Sequence, residues 1–89
     1  MKRITIDNLV EILKNYENKQ IELFFKGTIS MNIEFEVKKI SNKENYLIFY
    51  DKFNKEISLN NHQIMKIEEL EDKSILIKFD SFQTLEISF

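Results

Sequence analysis

Cysteine, proline and tryptophan are absent from the 89 residues, alanine does not occur either, and glycine and histidine are found once each. Without cysteine there are no disulfides and no thiolate ligands, which excludes the staples of small secreted domains and most zinc sites. One glycine is too few for a glycine-built phosphate loop. No run of about 18 apolar residues occurs, so no helix long enough to span a bilayer is expected. The opening Met1-Lys2-Arg3 has the charge of an export signal, but Asp7, Asn8 and Glu11 interrupt the apolar stretch such a signal needs. A cytoplasmic protein with no cofactor, no metal and no membrane contact is the resulting expectation.

What is present suits one core. Hydrophobic residues make up 43% and charged residues 31% of the chain, as in ordinary globular domains. The length permits a single domain over 1–89, because two cores of half this size could not bury enough surface to offset chain entropy. Thirteen basic against fifteen acidic residues leave a net charge of −2. That balance argues against a general nucleic-acid coat and leaves room only for a local basic patch.

Leu9, Ile12, Leu13 and Tyr16 recur at helical spacing, which predicts a helix over about 6–16 with Thr5 as its N-cap and Asp7 in its first turn. From about residue 20 the period falls to two. Ile21, Leu23 and Phe25 form one strand, and Gly27 is assigned to a turn at positive φ. Ile29, Met31, Ile33, Phe35 and Val37 are expected to face inward on a longer strand that breaks at Lys38 and Lys39. Ser41 to Asn45 read as a polar turn, and Tyr46 to Tyr50 as a central strand covered on both faces. Ile57 and Leu59 mark a further strand. Ile64 to Leu70 read as a short strand after a tight turn, and Ser74 to Phe89 as a terminal hairpin. The fold class expected is α+β: one N-terminal helix packed on a strongly curved antiparallel sheet of five to seven strands, a small barrel of SH3 or Sm type built as a meander over about 20–89.

Gly27 and the stretch Asn61-His62-Gln63-Ile64 carry a resemblance in layout to the bacterial Sm-like RNA chaperones. It covers roughly the first three quarters of the chain. Asn61 stands where that family has lysine, no glycine falls between Ile29 and Val37, and the terminal hairpin is extra. What the resemblance implies is a ring-forming RNA binder, with His62 beside a central pore.

Few residue groups could carry chemistry. His62 is the one side chain whose ordinary pKa lies near neutrality, but only Ser58 is near it in sequence as a nucleophile, and a turn histidine among asparagines is the plainer reading. Glu34 and Glu36 share a strand face about 7 Å apart, a spacing also found in solvated faces. Glu68, Glu69, Glu71 and Asp72 form an acidic cluster without the alternating ligands and glycine of a calcium loop. Lys38, Lys39 and Lys43 with Tyr46 give a minimal phosphate-and-stacking set for single-stranded RNA, to which His62 is added under the Sm-like alternative. Phe24, Phe53 and Phe82 fall on an outward strand face, in a turn and at a hairpin tip. There they expose apolar area for no folding benefit. The expectation is a non-enzymatic module acting through protein contacts, with another protein or with itself: an inhibitor, an immunity-type factor or an accessory factor, as mobile elements carry.

Overall fold

Thr5 starts the helix by the chemistry expected of it. In the computed structural model, which describes residues 2–89, its hydroxyl accepts the Asn8 backbone N–H at 3.1 Å. The helix, α1, spans Ile6–Lys14, with Asp7 in the first turn and Lys14 in the last, each complementing the helix dipole. Leu9 and Leu13 are fully buried. The helix stops two residues earlier than its periodicity suggests, because Asn18 turns at φ 68° and donates its N–H to the Val37 carbonyl at 2.6 Å. Tyr16 still packs, stacked on Phe89 with ring centroids 4.1 Å apart.

Nine strands are present among the described residues, all paired antiparallel. They are β1 (Lys2–Arg3), β2 (Lys19–Lys26), β3 (Met31–Val37), β4 (Lys39–Lys43), β5 (Tyr46–Tyr50), β6 (Glu56–Asn60), β7 (Ile64–Glu69), β8 (Ile75–Phe79) and β9 (Thr84–Ser88), with a short 3-10 turn at Asn61–Gln63. Six of them form one sheet in the order β1-β7-β8-β9-β2-β3, and β4-β5-β6 form a second. A single sheet of five to seven strands is therefore replaced by two. Nor is the order that of a plain meander: the last strand, β9, lies against β2, which follows the helix.

The two sheets are joined where the sequence rhythm slips. Lys38 is a bend between β3 and β4, and its N–H reaches the Tyr50 carbonyl at 2.7 Å. Between the sheets lies one core. It holds Ile21, Leu23, Phe35 and Val37 from β2 and β3, Leu47 and Phe49 from β5, and Ile75, Ile77, Leu85 and Ile87 from β8 and β9. Alternation places all of these inward except Leu47 and Phe49, which lie in a run apolar on both faces.

Some expectations are overturned. Ser41 to Asn45 are not simply a turn: β4 continues to Lys43, and Glu44-Asn45 alone reverse the chain, with Glu44 at φ 59°. Polar side chains hid this strand, because Ser41, Asn42 and Lys43 offer no apolar face to count. On β5 one face is fully covered, at Leu47 and Phe49, whereas Tyr46 is exposed and Ile48 and Tyr50 are half-buried. Ile29 and Met31 extend the alternating pattern but not the core; both are exposed, and β3 begins only at Met31. Gly27 does not have positive φ. Its role is close approach, since a Cβ at that position would lie 2.9 Å from Gln83 Cγ on the neighbouring hairpin. The left-handed positions fall instead to Asn18, Glu44, Asn54, Lys73 and Phe82.

Candidate functional site

Two hairpin tips meet at the ends of β2 and β9 that lie away from the helix. One is the loop from Gly27 to Ser30 between β2 and β3, the other the loop from Asp80 to Gln83 between β8 and β9. The missing Cβ of Gly27 lets the Gln83 side chain lie against it. Phe79 closes the second loop by donating its N–H to the Gln83 carbonyl at 2.9 Å. Phe82 sits at the apex with φ 62°, a conformation that costs a non-glycine residue about 1 to 2 kcal/mol.

This end of the molecule carries four of the eight large apolar side chains exposed among the described residues; Tyr46, Phe53, Met65 and Phe89 are exposed elsewhere. Phe82 is 98% exposed, Ile29 79%, Met31 51% and Phe24 37%; Met31 pairs with Phe25 and so lies on the sheet face opposite Phe24. Between the joined tips and the end of β6 runs a groove of about 360 Å³ with Phe25, Ile29, Met31, Leu59 and Phe79 in its walls. A second hollow, of about 770 Å³, on the outer face of the larger sheet has Phe24, Leu76 and Phe82 on its rim, with Lys26 and Glu86. Phe24 and Phe82 are thus brought together at one hollow. Phe53 is not: it lies in the turn between β5 and β6, 71% exposed, with the Lys52 ammonium 5.3 Å from its ring centroid. Ile29 and Met31 belong to this surface and were missed, because they had been assigned inward; their position beside the only glycine was the available signal.

The residues of the RNA-binding alternative are divided. Lys43 pairs with Tyr46 in register, Tyr46 pairs with Asn60, and Asn61 donates its N–H to the Asn45 carbonyl at 2.8 Å, which places His62 near that turn. Lys38 and Lys39 lie about 13 Å away at the far end of β4, by strand rise. Lys38 Nζ is engaged there, donating to Asn18 Oδ1 at 3.0 Å.

Catalytic combinations do not assemble. His62 is exposed and donates its backbone N–H to Asn60 Oδ1 at 3.0 Å, as the cap of the 3-10 turn requires; no hydrogen bond joins it to Ser58. Glu34 accepts from Gln20 at 3.0 Å, while Glu36 pairs with Lys52 at 3.9 Å. The acidic cluster separates by role. Glu68 is buried between Lys66 and Lys78, at 3.7 and 3.6 Å, while Asp72 accepts from the Ser74 hydroxyl and backbone N–H in the β7–β8 turn. The Ser74 hydroxyl and N–H hold the Asp72 carboxyl below the usual carboxylate range. Among the described residues no group of three or more acidic, histidine or cysteine side chains could hold a metal ion, and no helix is long and apolar enough to cross a membrane.

No family model, no curated protein and no solved structure matches the chain.

Proposed function

We propose that the protein is a non-enzymatic binding module whose hairpin-tip end docks against another protein, as an inhibitor, an immunity-type factor or an accessory factor acting in the cytoplasm. The observation that carries this reading is Phe82: a large apolar ring in solvent, on backbone that is strained for any residue with a side chain. Folding gains nothing from either feature. Burial of such a ring in a partner is worth about 1.5 to 3 kcal/mol; Ile29 and Met31 extend the contact into the groove, and Phe24 extends it along the second hollow on the other face of β2. On this reading the two sheets, joined at Lys38 and at the 3-10 turn, serve as a small barrel-like scaffold that holds the tips side by side.

The test is affinity capture from the native host with the wild-type chain and with Phe82→Gly, read by quantitative mass spectrometry. A defined protein retained by the first and lost from the second supports the proposal. A partner retained equally by both overturns the role of the tip.

A second reading, RNA binding as a ring of Sm type, is favoured by the proximity of Lys43, Tyr46 and His62 at one turn. It requires salt-sensitive binding of single-stranded RNA that Lys43→Glu weakens.

A further inference from the structure

The outer face of the larger sheet carries two like-charge pairs at diagonally opposite corners. Lys66 and Lys78 are partners in register on β7 and β8, and Glu22 and Glu34 are partners in register on β2 and β3. Like charges directly opposite each other oppose strand pairing. The residues between the corners are Leu76, Glu86 and Phe24, which lie in one row across β8, β9 and β2. By strand spacing and rise the corners are about 15 to 20 Å apart.

The two corners are not neutralised equally. Both lysines lean on the single buried carboxylate of Glu68, which leaves one positive charge in excess. No cation of the described residues lies within ion-pair distance of Glu22 or Glu34. Neutral amides hold them instead, Asn32 Nδ2 donating to Glu22 Oε1 at 3.1 Å and Gln20 Nε2 to Glu34 Oε2 at 3.0 Å. These glutamates are fixed in place without a counter-charge.

We infer that this face binds a second copy of the same chain, face to face about a twofold axis, with the Glu22–Glu34 corner of each copy against the Lys66–Lys78 corner of the other. A rotation about an axis lying in the face along the other diagonal exchanges the two corners, so the two like-charge pairs answer each other twice, while Lys26, in the row of Lys78 and Thr84 and close to that axis, comes near its own twin. An isologous contact needs a self-complementary patch of this kind. Phe24 and Leu76 lie inside the contact, and Glu86 comes close to its twin near the axis. An interface of ordinary size takes about 800 Å² from each partner, or about an eighth of the 6083 Å² surface. The inference names the partner for the Phe24 side of the molecule and rests on the reading that the chain acts through protein contacts.

Sedimentation equilibrium of the full chain tests it. The expected result is a dimer that weakens with added salt, with association lowered about a hundredfold in Glu22→Lys/Glu34→Lys and raised in Glu86→Gln. Mixing that double variant with Lys66→Glu/Lys78→Glu restores a mixed dimer while each alone stays monomeric. Inverting both lysines beside Glu68 threatens folding, so the chain's lack of cysteine supplies a second route. Under oxidation, Glu34→Cys and Lys66→Cys chains cross-link to each other when mixed, and neither cross-links to itself. A wild-type chain that is monomeric at low salt overturns the inference, as does a dimer indifferent to the acidic double variant. Either result leaves the protein-contact reading to be judged by the Phe82→Gly capture alone.

Discussion

The helix end and the hairpin-tip end of this protein spend their apolar residues in opposite ways. At the helix end Leu9 and Leu13 are fully enclosed, the first turn is capped by Thr5, and the Glu17 carboxylate accepts the Ile40 N–H at 2.8 Å where the second sheet begins. Every device there serves folding. At the tips Ile29, Met31 and Phe82 are exposed, and one of them sits on strained backbone. The difference teaches which end the fold leaves open: polar groups are satisfied where the core closes, and apolar area stays in solvent at the tips, where the proposed function puts recognition.

Mutations at the two ends should separate the roles. Leu13→Ala opens a cavity in a fully buried site and is expected to cost about 2 to 5 kcal/mol in chemical denaturation. Comparable losses from tip substitutions would break the comparison. Glu17→Ala leaves the Ile40 N–H without its side-chain acceptor, an expected cost of about 1 to 3 kcal/mol. Thr5→Ala removes the cap and should cost about 1 kcal/mol. Phe82→Gly has the opposite sign: it relieves left-handed strain and is expected to raise stability by up to about 1 kcal/mol while capture of the partner is lost. A destabilised Phe82→Gly chain would show that the ring serves the fold after all.

Acid sharpens the contrast with the exposed β7–β8 turn. The Asp72 carboxyl is held below its ordinary value by Ser74, so its contribution is complete above the unfolded value of about 3.9 and is lost as pH falls through the lower folded value. Ser74→Ala should flatten that part of a melting-temperature profile and leave the neutral region of the profile without added slope.

Much of the fold could be read from periodicity. Thr5, Leu9 and Leu13 gave the helix, alternation gave β2, β6, β8 and β9, the apolar run from Tyr46 to Tyr50 gave β5, and the slip after Val37 located the bend between the sheets. The strand β4 was obscured because Ser41, Asn42 and Lys43 have no apolar member to set a rhythm. Ile29 and Met31 had the opposite fault, a pattern with no core beneath it. At the site, the exposure of Phe24, Phe53 and Phe82 was legible from their positions. That Phe24 meets Phe82 and not Phe53 was not, because it depends on β9 returning to pair with β2, and strand partners 60 residues apart leave no local trace.

By itself the sequence determined the local states, the helix with its cap, the strands with their inner faces and the turns, since these depend on which residues lie within a few positions of one another. Tertiary structure alone decided how the strands divide into two sheets, why Gly27 must be small, and which side chains share the open end. Those outcomes depend on contacts between segments distant in the chain, whose distances only the folded packing sets.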